Sequence, residues 1–340
     1  MWPFFKFQTK RTLGSAPRVA VVTPWKPGVA WCFRESWLRA LSDLGVSHVE
    51  FFLTKGERHV HRFFRELKRT NADVVLLSGG DHHMHYLHDT EAKQDFWKSL
   101  KSHVLCMCTE RVMNSPFPES EEKTRSALRA FDAFFYFDEF AEPLFRESGK
   151  PSKWLPQFAD EVLFHPTCSY EDRFNRLYFR AQFTNFGVEG VYAARRALVD
   201  AVQNHPCFEV HQANKGSWLT PEQYAETLSK QRFVFRTPSN CPGWVENFWT
   251  AMASGCVVFH QALPVDEVKS RPLLVPGKHY VEYDMSNPPA LLKQAEEAVK
   301  NWGDYRHISE NAVAIFRERY TVRHVVSDML QFMSDAKISK

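Results

Sequence analysis

Arg236, Glu246 and Asn247 bracket a loop that reads Thr237-Pro238-Ser239-Asn240-Cys241-Pro242-Gly243. A second polar stretch, Ser78-Gly79-Gly80-Asp81-His82-His83-Met84-His85-Tyr86-Leu87-His88-Asp89, lies in the first half of the chain. A guanidinium such as Arg236 can neutralise a diphosphate. A carboxylate such as Glu246 can accept hydrogen bonds from vicinal hydroxyls such as a ribose diol. Removing a proton from a hydroxyl needs a group that titrates near neutrality within hydrogen-bond reach. Histidine supplies this directly, and aspartate does when its pKa is shifted. Asp81 and His82 follow two glycines and are the first candidates for that work. Plainer readings stand beside these: a helix-start carboxylate favours the helix dipole, a strand-end arginine is solvated, and a histidine-rich stretch is a polar surface loop. The four histidines suggest a metal, but no second cluster stands at metal-finger spacing, so no metal is expected.

The elements around both stretches follow from pattern. Residues 232–236 form a short β-branched and aromatic run, a buried strand. Two prolines and a glycine then make 237–243 a loop. Residues 244–254 carry Val245, Phe248, Trp249 and Met252 at helical spacing, with Gly255 as the stop. Residues 256–260 form the next strand, and Ala251, Ala253, Ser254 and Gly255 let the helix lie close against a sheet.

The first half alternates in the same way. Strands are expected at 19–22, 48–53, 72–77, 103–108, 134–137 and 154–158, and helices at 31–44, 57–70, 92–101, 120–131 and 139–148. Past a polar hinge at 167–175 come strands 177–183 and 208–212 with helices 190–202 and 221–230. Three terminal helices are expected at 288–302, 305–318 and 323–333. Repeated strand–helix units imply parallel sheets, since parallel neighbours need crossover helices. Ligands in such sheets sit beyond the carboxyl ends of strands, against helix N-termini. Both polar stretches fall there, as do Trp25 in the loop after the first strand, Glu110 and Arg111 after the fourth, and Arg180 with the loop 181–187 in the second half.

Ala251-Met252-Ala253-Ser254-Gly255-Cys256-Val257-Val258 resembles the A-[ML]-A-x-G ending of the nucleotide-sugar segment of GT-B glycosyltransferases, in particular group 1 members of the CgeB-like branch. The upstream PEQYAETLSKQRFVF and the downstream Leu274–Tyr280 resemble the same segment, and 155–166 resembles its interdomain "LP…D…F.P". Two positions depart from it: where group 1 members often carry two glutamates eight apart, this chain has Pro242 and Thr250. Glu246-Asn247-Phe248-Trp249 instead resembles the E-K-[FL]-[WY] segment of fucosyltransferases, whose glutamate is placed for the donor ribose.

The resemblance implies a GT-B fold: two Rossmann-like α/β domains facing across a cleft, with C-terminal helices bracing the hinge. It divides the chain into an arm (1–17), an acceptor domain (18–166), a nucleotide-sugar domain (167–320) and a helix crossing back (321–340). It implies a glycosyltransferase, hexosyl- or pentosyl-transferring, that moves a sugar from a nucleotide-diphosphate sugar to an acceptor hydroxyl without metal or further cofactor. Donor contacts are expected from Arg180, Arg236, Pro242, Gly243, Trp244, Glu246 and Asn247, and acceptor contacts from Trp25, Arg62, His83 and His85. Catalytic work is expected of Asp81, His82 and Arg236. The acceptor is left open between a glycan, a lipid-linked glycan, another hydroxyl compound and a nucleic acid. The alternative is a catalytically silent nucleotide- or sugar-binding protein of a surface assembly. Loss of the glutamate pair favours it; the retained loop, Arg236 and Glu246 oppose it. An epimerase or phosphorylase of the same architecture would differ in needing no such acceptor. A dinucleotide-binding dehydrogenase is disfavoured because no G-x-G-x-x-G follows either first strand.

A chain of 340 residues has room for two domains. The net charge of +3 is too small to argue for nucleic acid by itself. No apolar run approaches the roughly 18 to 20 residues that span a bilayer. Seven cysteines without framework spacing suggest a reducing, cytoplasmic setting. Cys106 and Cys108, two apart on a strand, face the same way into a core. Two segments bear on partners. The arm, with Trp2, Phe4, Phe5 and Phe7 among Lys6, Lys10 and Arg11, suits either a membrane interface or the protein's own surface. The helix 57–70 carries Arg58, Arg62, Arg65 and Arg69 opposite an apolar stripe, either a solvated face or a guide for an anionic acceptor.

Overall fold

A computed structural model describes residues 17–24, 34–53, 56–108, 119–181, 191–213, 218–237, 243–263 and 272–335. Two wholly parallel sheets organise them. The first contains β1 (Val19–Thr23), β2 (His48–Phe52), β3 (Val74–Ser78), β4 (His103–Cys108), β5 (Ala133–Tyr136) and β6 (Ser152–Trp154), in the order β2-β1-β3-β4-β5-β6. Its helices are α1 (Arg34–Asp43), α2 (Glu57–Arg69), α3 (Glu91–Ser99), α4 (Ser120–Ala130) and α5 (Glu142–Glu147). The second contains β7 (Phe174–Ala181), β8 (Phe208–Gln212), β9 (Gln231–Arg236), β10 (Val257–Gln261) and β11 (Val281–Tyr283), in the order β11-β10-β9-β7-β8. Around it lie α6 (Val191–Val202), α7 (Pro221–Ser229), α8 (Glu246–Ala253), α9 (Pro288–Lys300) and α10 (Arg306–Arg319). The last helix, α11 (Val322–Asp335), follows directly.

Both sheets bury both faces, which is why β1, β3 and β9 read as unbroken buried runs rather than alternating ones. Four apolar layers result, two per sheet. Helix α11 places Val322, Val325, Val326 and Met329 in the layer of Val19, Val21, Trp37 and Phe135, so this helix packs against the first sheet. The crossing is tied by side chains. Asp160, 6 % exposed, pairs with Arg39 and accepts from Ser36 Oγ at 2.8 Å, which fixes the interdomain segment to α1. Glu161 accepts the first amide of α11 at 3.1 Å.

Several elements differ from expectation for local reasons. The sixth strand is Ser152–Trp154, and residues 155–158 are irregular. Pro156 has no amide to give a ladder, while Leu155 and Phe158 are fully buried and so mimic a strand pattern. The helix expected over 139–148 opens as a 3-10 turn, Glu139–Ala141, and becomes α-helical at Glu142 with Pro143 in its first turn. Helix α8 begins at Glu246, two residues later than its apolar spacing suggests, and Gly255 ends it at φ 76°. Strand β11, three residues long, is too short to show a period. The arm and Glu110 and Arg111 lie outside the described residues.

Candidate functional site

Strand β9 carries six buried residues to the carboxyl edge of the second sheet and ends on Arg236, which is 1 % exposed. Its Nη2 donates to the Tyr224 hydroxyl at 2.9 Å, and its backbone carbonyl accepts from the Tyr283 hydroxyl at 2.7 Å. Nε and Nη1 are buried and have no hydrogen-bond partner among the described residues, nor has the adjoining Thr237 Oγ1. No carboxylate among the described residues stands within ion-pair distance of this guanidinium. An unpaired buried charge is costly, by several kcal/mol even after relaxation, so this guanidinium is suited to receive an anion. Tyr224 is placed by α7, whose first turn closes with a reciprocal capping box between Thr220 and Gln223.

Glu246 opens α8 beside this arginine. The residue keeps some accessible surface, but its carboxyl is enclosed. Burial pushes the group up to about 7, with the Arg236 charge pulling the other way. Its backbone amide donates to Gln157 Oε1 of the interdomain segment, so the first amide of α8 is already engaged. Asn247 Oδ1 is buried without a partner among the described residues. Arg236, Thr237, Glu246 and Asn247 thus form one polar focus.

The other expected donor residues fall as follows. Trp244 is 1 % exposed and stacks on His260 at 5.0 Å, with Phe248 and Tyr280 edge-on to it. It is a core residue rather than a platform for a ligand, because its indole completes an aromatic cluster under α8. Burial lowers His260 to about 4, so that ring is neutral. Arg180 stands at the end of β7 in a groove of about 430 Å³ with Tyr178, Glu209 and His211, on the α7 side of the sheet. Tyr178 joins the two arginines: burial pushes its hydroxyl up to about 12, and both Arg180 and Arg236 are near enough to oppose this. Pro242 and Trp25 lie outside the described residues.

Gly243 touches the other domain. A β-carbon there would overlap the Glu139 carboxylate, which belongs to the turn after β5. Gly243→Ala is expected to lower stability by about 1–3 kcal/mol. In a thermal-denaturation cycle, most of that loss should vanish in a Glu139→Ala background, the non-additivity expected of touching residues.

In the first domain, His82, His83, His85 and Tyr86 line a cavity of about 290 Å³ with Glu57 of α2 and Lys123 of α4. The catalytic candidate His82 and the expected acceptor contacts His83 and His85 thus share one cavity. His88, the fourth histidine of the stretch, is structural. Its Nε2 lies 2.7 Å from the Gly80 carbonyl and its Nδ1 3.1 Å from Ser126 Oγ, and burial lowers it to about 4. Asp81 does not line the cavity. It is 1 % exposed, with a carboxylate oxygen within 4.8 Å of the Cys106 and Cys108 thiols. Burial pushes both thiols up, Cys108 well up. Three buried ligand atoms leave a tetrahedral set one short. Arg62 also stays outside the cavity: on the exposed face of α2, its Nε donates to Glu66 at 2.7 Å.

Lys93 holds the cavity wall, donating to Glu57, Asp89 and the Tyr86 carbonyl, each at 2.9 Å. Burial would lower its pKa, but the bonds to Glu57 and Asp89 raise it overall. Lys93→Met is expected to lower stability by about 1–2 kcal/mol in urea unfolding, since the part-buried Tyr86 carbonyl loses its donor.

Two parallel-sheet domains, with a polar focus at the carboxyl edge of one and a histidine cavity at that of the other, define the GT-B class of fold. Solved structures of that class overlie nearly the whole chain. HepE from Anabaena in complex with UDP is 12 % identical, covers 93 % of this chain and 99 % of its own, and has a TM-score of 0.60. Sucrose-phosphate synthase from Thermosynechococcus elongatus is 10 % identical over 94 % of this chain and 99 % of its own, with a TM-score of 0.65. An alpha-glucosyltransferase solved with UDP and a 13-mer DNA containing an HMU base is 10 % identical over 94 % of this chain and 100 % of its own, with a TM-score of 0.65. Residues 179–331 match the family described as glycosyl transferase-like. No curated protein matches the sequence. Among the described residues, no helix is long and apolar enough to cross a membrane.

Proposed function

We propose that this protein is a glycosyltransferase that binds a nucleotide-diphosphate sugar at the carboxyl edge of the second sheet and transfers the sugar to an acceptor hydroxyl presented by the first domain. One observation carries the reading: a fully buried arginine with two nitrogens that have no partner among the described residues, next to a threonine hydroxyl in the same state and a helix-start glutamate. A diphosphate satisfies Arg236 and Thr237, and a ribose diol satisfies Glu246. The resemblance of the 251–258 ending to group 1 members of the CgeB-like branch supports assigning the chain to that branch. UDP, found in complexes of HepE and of the alpha-glucosyltransferase, is the first nucleotide to test.

In this reaction Arg236 stabilises the departing diphosphate, and Tyr224 orients it by occupying Nη2. The negative charge developing on the leaving group meets a fixed positive charge in a dry setting, where it is worth most. The histidine cavity of the first domain, polar and open, is the seat for the acceptor, which His82, His83 and His85 contact. Arg62 and the basic face of α2 point away from that cavity and offer an anionic acceptor a separate surface. The protein carries out the reaction without a metal or further cofactor.

A coupled assay for nucleotide release, run with UDP-, GDP-, ADP- and dTDP-sugars and a glycan acceptor panel, tests the reading. Release from one donor, abolished in Arg236→Met, is expected. No release from any donor would refute the enzymatic part of the reading.

A further inference from the structure

We propose that the outward face of α2 is a docking surface for the phosphodiester backbone of a nucleic acid, apart from the donor site and independent of it. At about 100° per residue, Arg58, Arg62, Arg65 and Arg69 fall within an arc of about 60° around the helix. The centre of that arc lies opposite Val60, Phe63, Phe64 and Leu67, all buried in the first domain's core. All four arginines are exposed. With a rise of about 1.5 Å per residue they form a row roughly 16 Å long that faces solvent.

The charges of this row are not cancelled. Helix α2 carries five cations and two carboxylates, an excess equal to the net +3 of the whole chain, so the rest of the chain is neutral on balance. Both carboxylates are engaged, Glu57 by Lys93 at 2.9 Å and Glu66 by Arg62 at 2.7 Å. Lys68 leans over the Phe96 ring, 5.3 Å from its centre. Arg58, Arg65 and Arg69 have no ion-pair partner among the described residues. On α4, α7 and α10, by contrast, surface cations are paired one turn apart: Arg125 with Glu121, Lys230 with Glu226 and Arg306 with Glu310. Like charges one turn apart weaken a helix, so the arginine row is kept at a cost to the fold and is compensated by an anion from outside.

A linear polyanion fits this row. Guanidinium groups hold phosphate oxygens with two parallel bonds, and phosphates repeated along a strand meet successive arginines on a helix whose other side is fixed by packing. A membrane fits less well. Helices that lie in a bilayer surface bury their apolar face in it, and here that face is already used: Phe63 packs on Trp97 and Phe64 on Phe96, both from α3. Contacts to backbone phosphate carry no sequence information, so binding is expected to be indifferent to sequence and strongly dependent on salt.

The test uses the full chain and fluorescently labelled DNA of mixed sequence, single-stranded and duplex, titrated by polarisation between about 50 and 200 mM salt. No nucleotide sugar is present, so the outcome does not depend on the donor site. For the duplex, three phosphate contacts contribute about −2.7 to the slope of log affinity against log salt. Arg58→Gln/Arg65→Gln/Arg69→Gln is expected to lose roughly 10-fold or more in affinity at the lower salt and to flatten that slope by roughly 3. A charge-matched control, Lys293→Gln/Lys300→Gln/Arg317→Gln, removes three exposed cations from α9 and α10 and is expected to keep wild-type affinity within about twofold. Thermal melts establish that both variants are folded. No binding of either DNA by the wild type, or equal affinities of the two variants, would overturn the proposal. Release of the bound DNA by phosphatidylserine vesicles at matched phosphate concentration would assign the row to a membrane and overturn it as well.

Discussion

Arg236→Met lowers affinity for the nucleoside diphosphate by roughly 100-fold while leaving the ligand-free protein at least as stable as the wild type. The two signs come from one cause. In the ligand-free fold, Arg236 is 1 % exposed, and among the described residues Tyr224 is its one side-chain hydrogen-bond partner, so its charge is poorly compensated. Replacing it with an apolar side chain of similar length removes a buried charge, which is often neutral or stabilising. With a diphosphate bound, the same guanidinium makes charge-assisted bonds through Nε and Nη1. Two such bonds at about 1.5–3 kcal/mol each cover a 100-fold loss. Arg236→Lys should recover only part of it, because an ammonium lacks the fork. Calorimetric titration with UDP and the other diphosphates, beside thermal denaturation of the free proteins, reads both signs. A purely structural arginine would give the reverse pattern: lower stability and unchanged affinity.

Glu246→Gln weakens donor binding by roughly 10-fold or more and removes its pH dependence. Burial holds the Glu246 carboxyl up to about 7 in the ligand-free fold, against an ordinary value of 4.5. The ionised form accepts hydroxyl bonds best, so wild-type affinity should climb as pH rises through about 7 and stay nearly flat in the glutamine variant. The stability linkage runs the other way. A raised folded-state value means the folded protein holds the proton longer than the unfolded chain does, between about 4.5 and 7. This group's contribution to stability is therefore present at low pH and lost as pH rises through about 7. Relative to the wild type, Glu246→Gln should gain stability above that pH. Nucleotide titrations at pH 6 and 8 and urea melts across the same range check both halves. Identical pH profiles for the two proteins would show that Glu246 does not titrate in the site.

Much of this was legible in the amino-acid sequence because both sheets are parallel and buried on both faces. Runs such as Val19–Thr23 and Gln231–Arg236 are unbroken, and the helices between them have clear apolar stripes. Arg236 and Glu246 could be found from the strand–loop–helix pattern alone, since the carboxyl edge of a parallel sheet is where ligands meet helix starts. What stayed hidden depends on contacts distant in sequence. Trp244 looks like a donor contact at a helix start, and only the approach of His260 and Tyr280 shows that its ring is needed in the core. Asp81 follows two glycines at a strand end, yet β4 brings two thiols onto it. Arg62 lies two residues beyond Val60 of the cavity wall, and helical geometry turns it to the opposite side. The approach of Glu139 to Gly243, about a hundred residues away, is hidden in the same way. Tyr224, in the middle of an ordinary amphipathic helix, gives no signal until Arg236 is seen beside it.

The donor site is the centre of this account, and a thermal-shift panel of UDP, GDP, ADP and dTDP with their sugar conjugates tests it most directly. At about a hundred times its dissociation constant, a ligand that binds only the folded state stabilises it by roughly 2.7 kcal/mol. A clear rise in melting temperature with one diphosphate and its sugar conjugates, lost in Arg236→Met, is the predicted result. A well-folded protein that none of these compounds stabilises would contradict it.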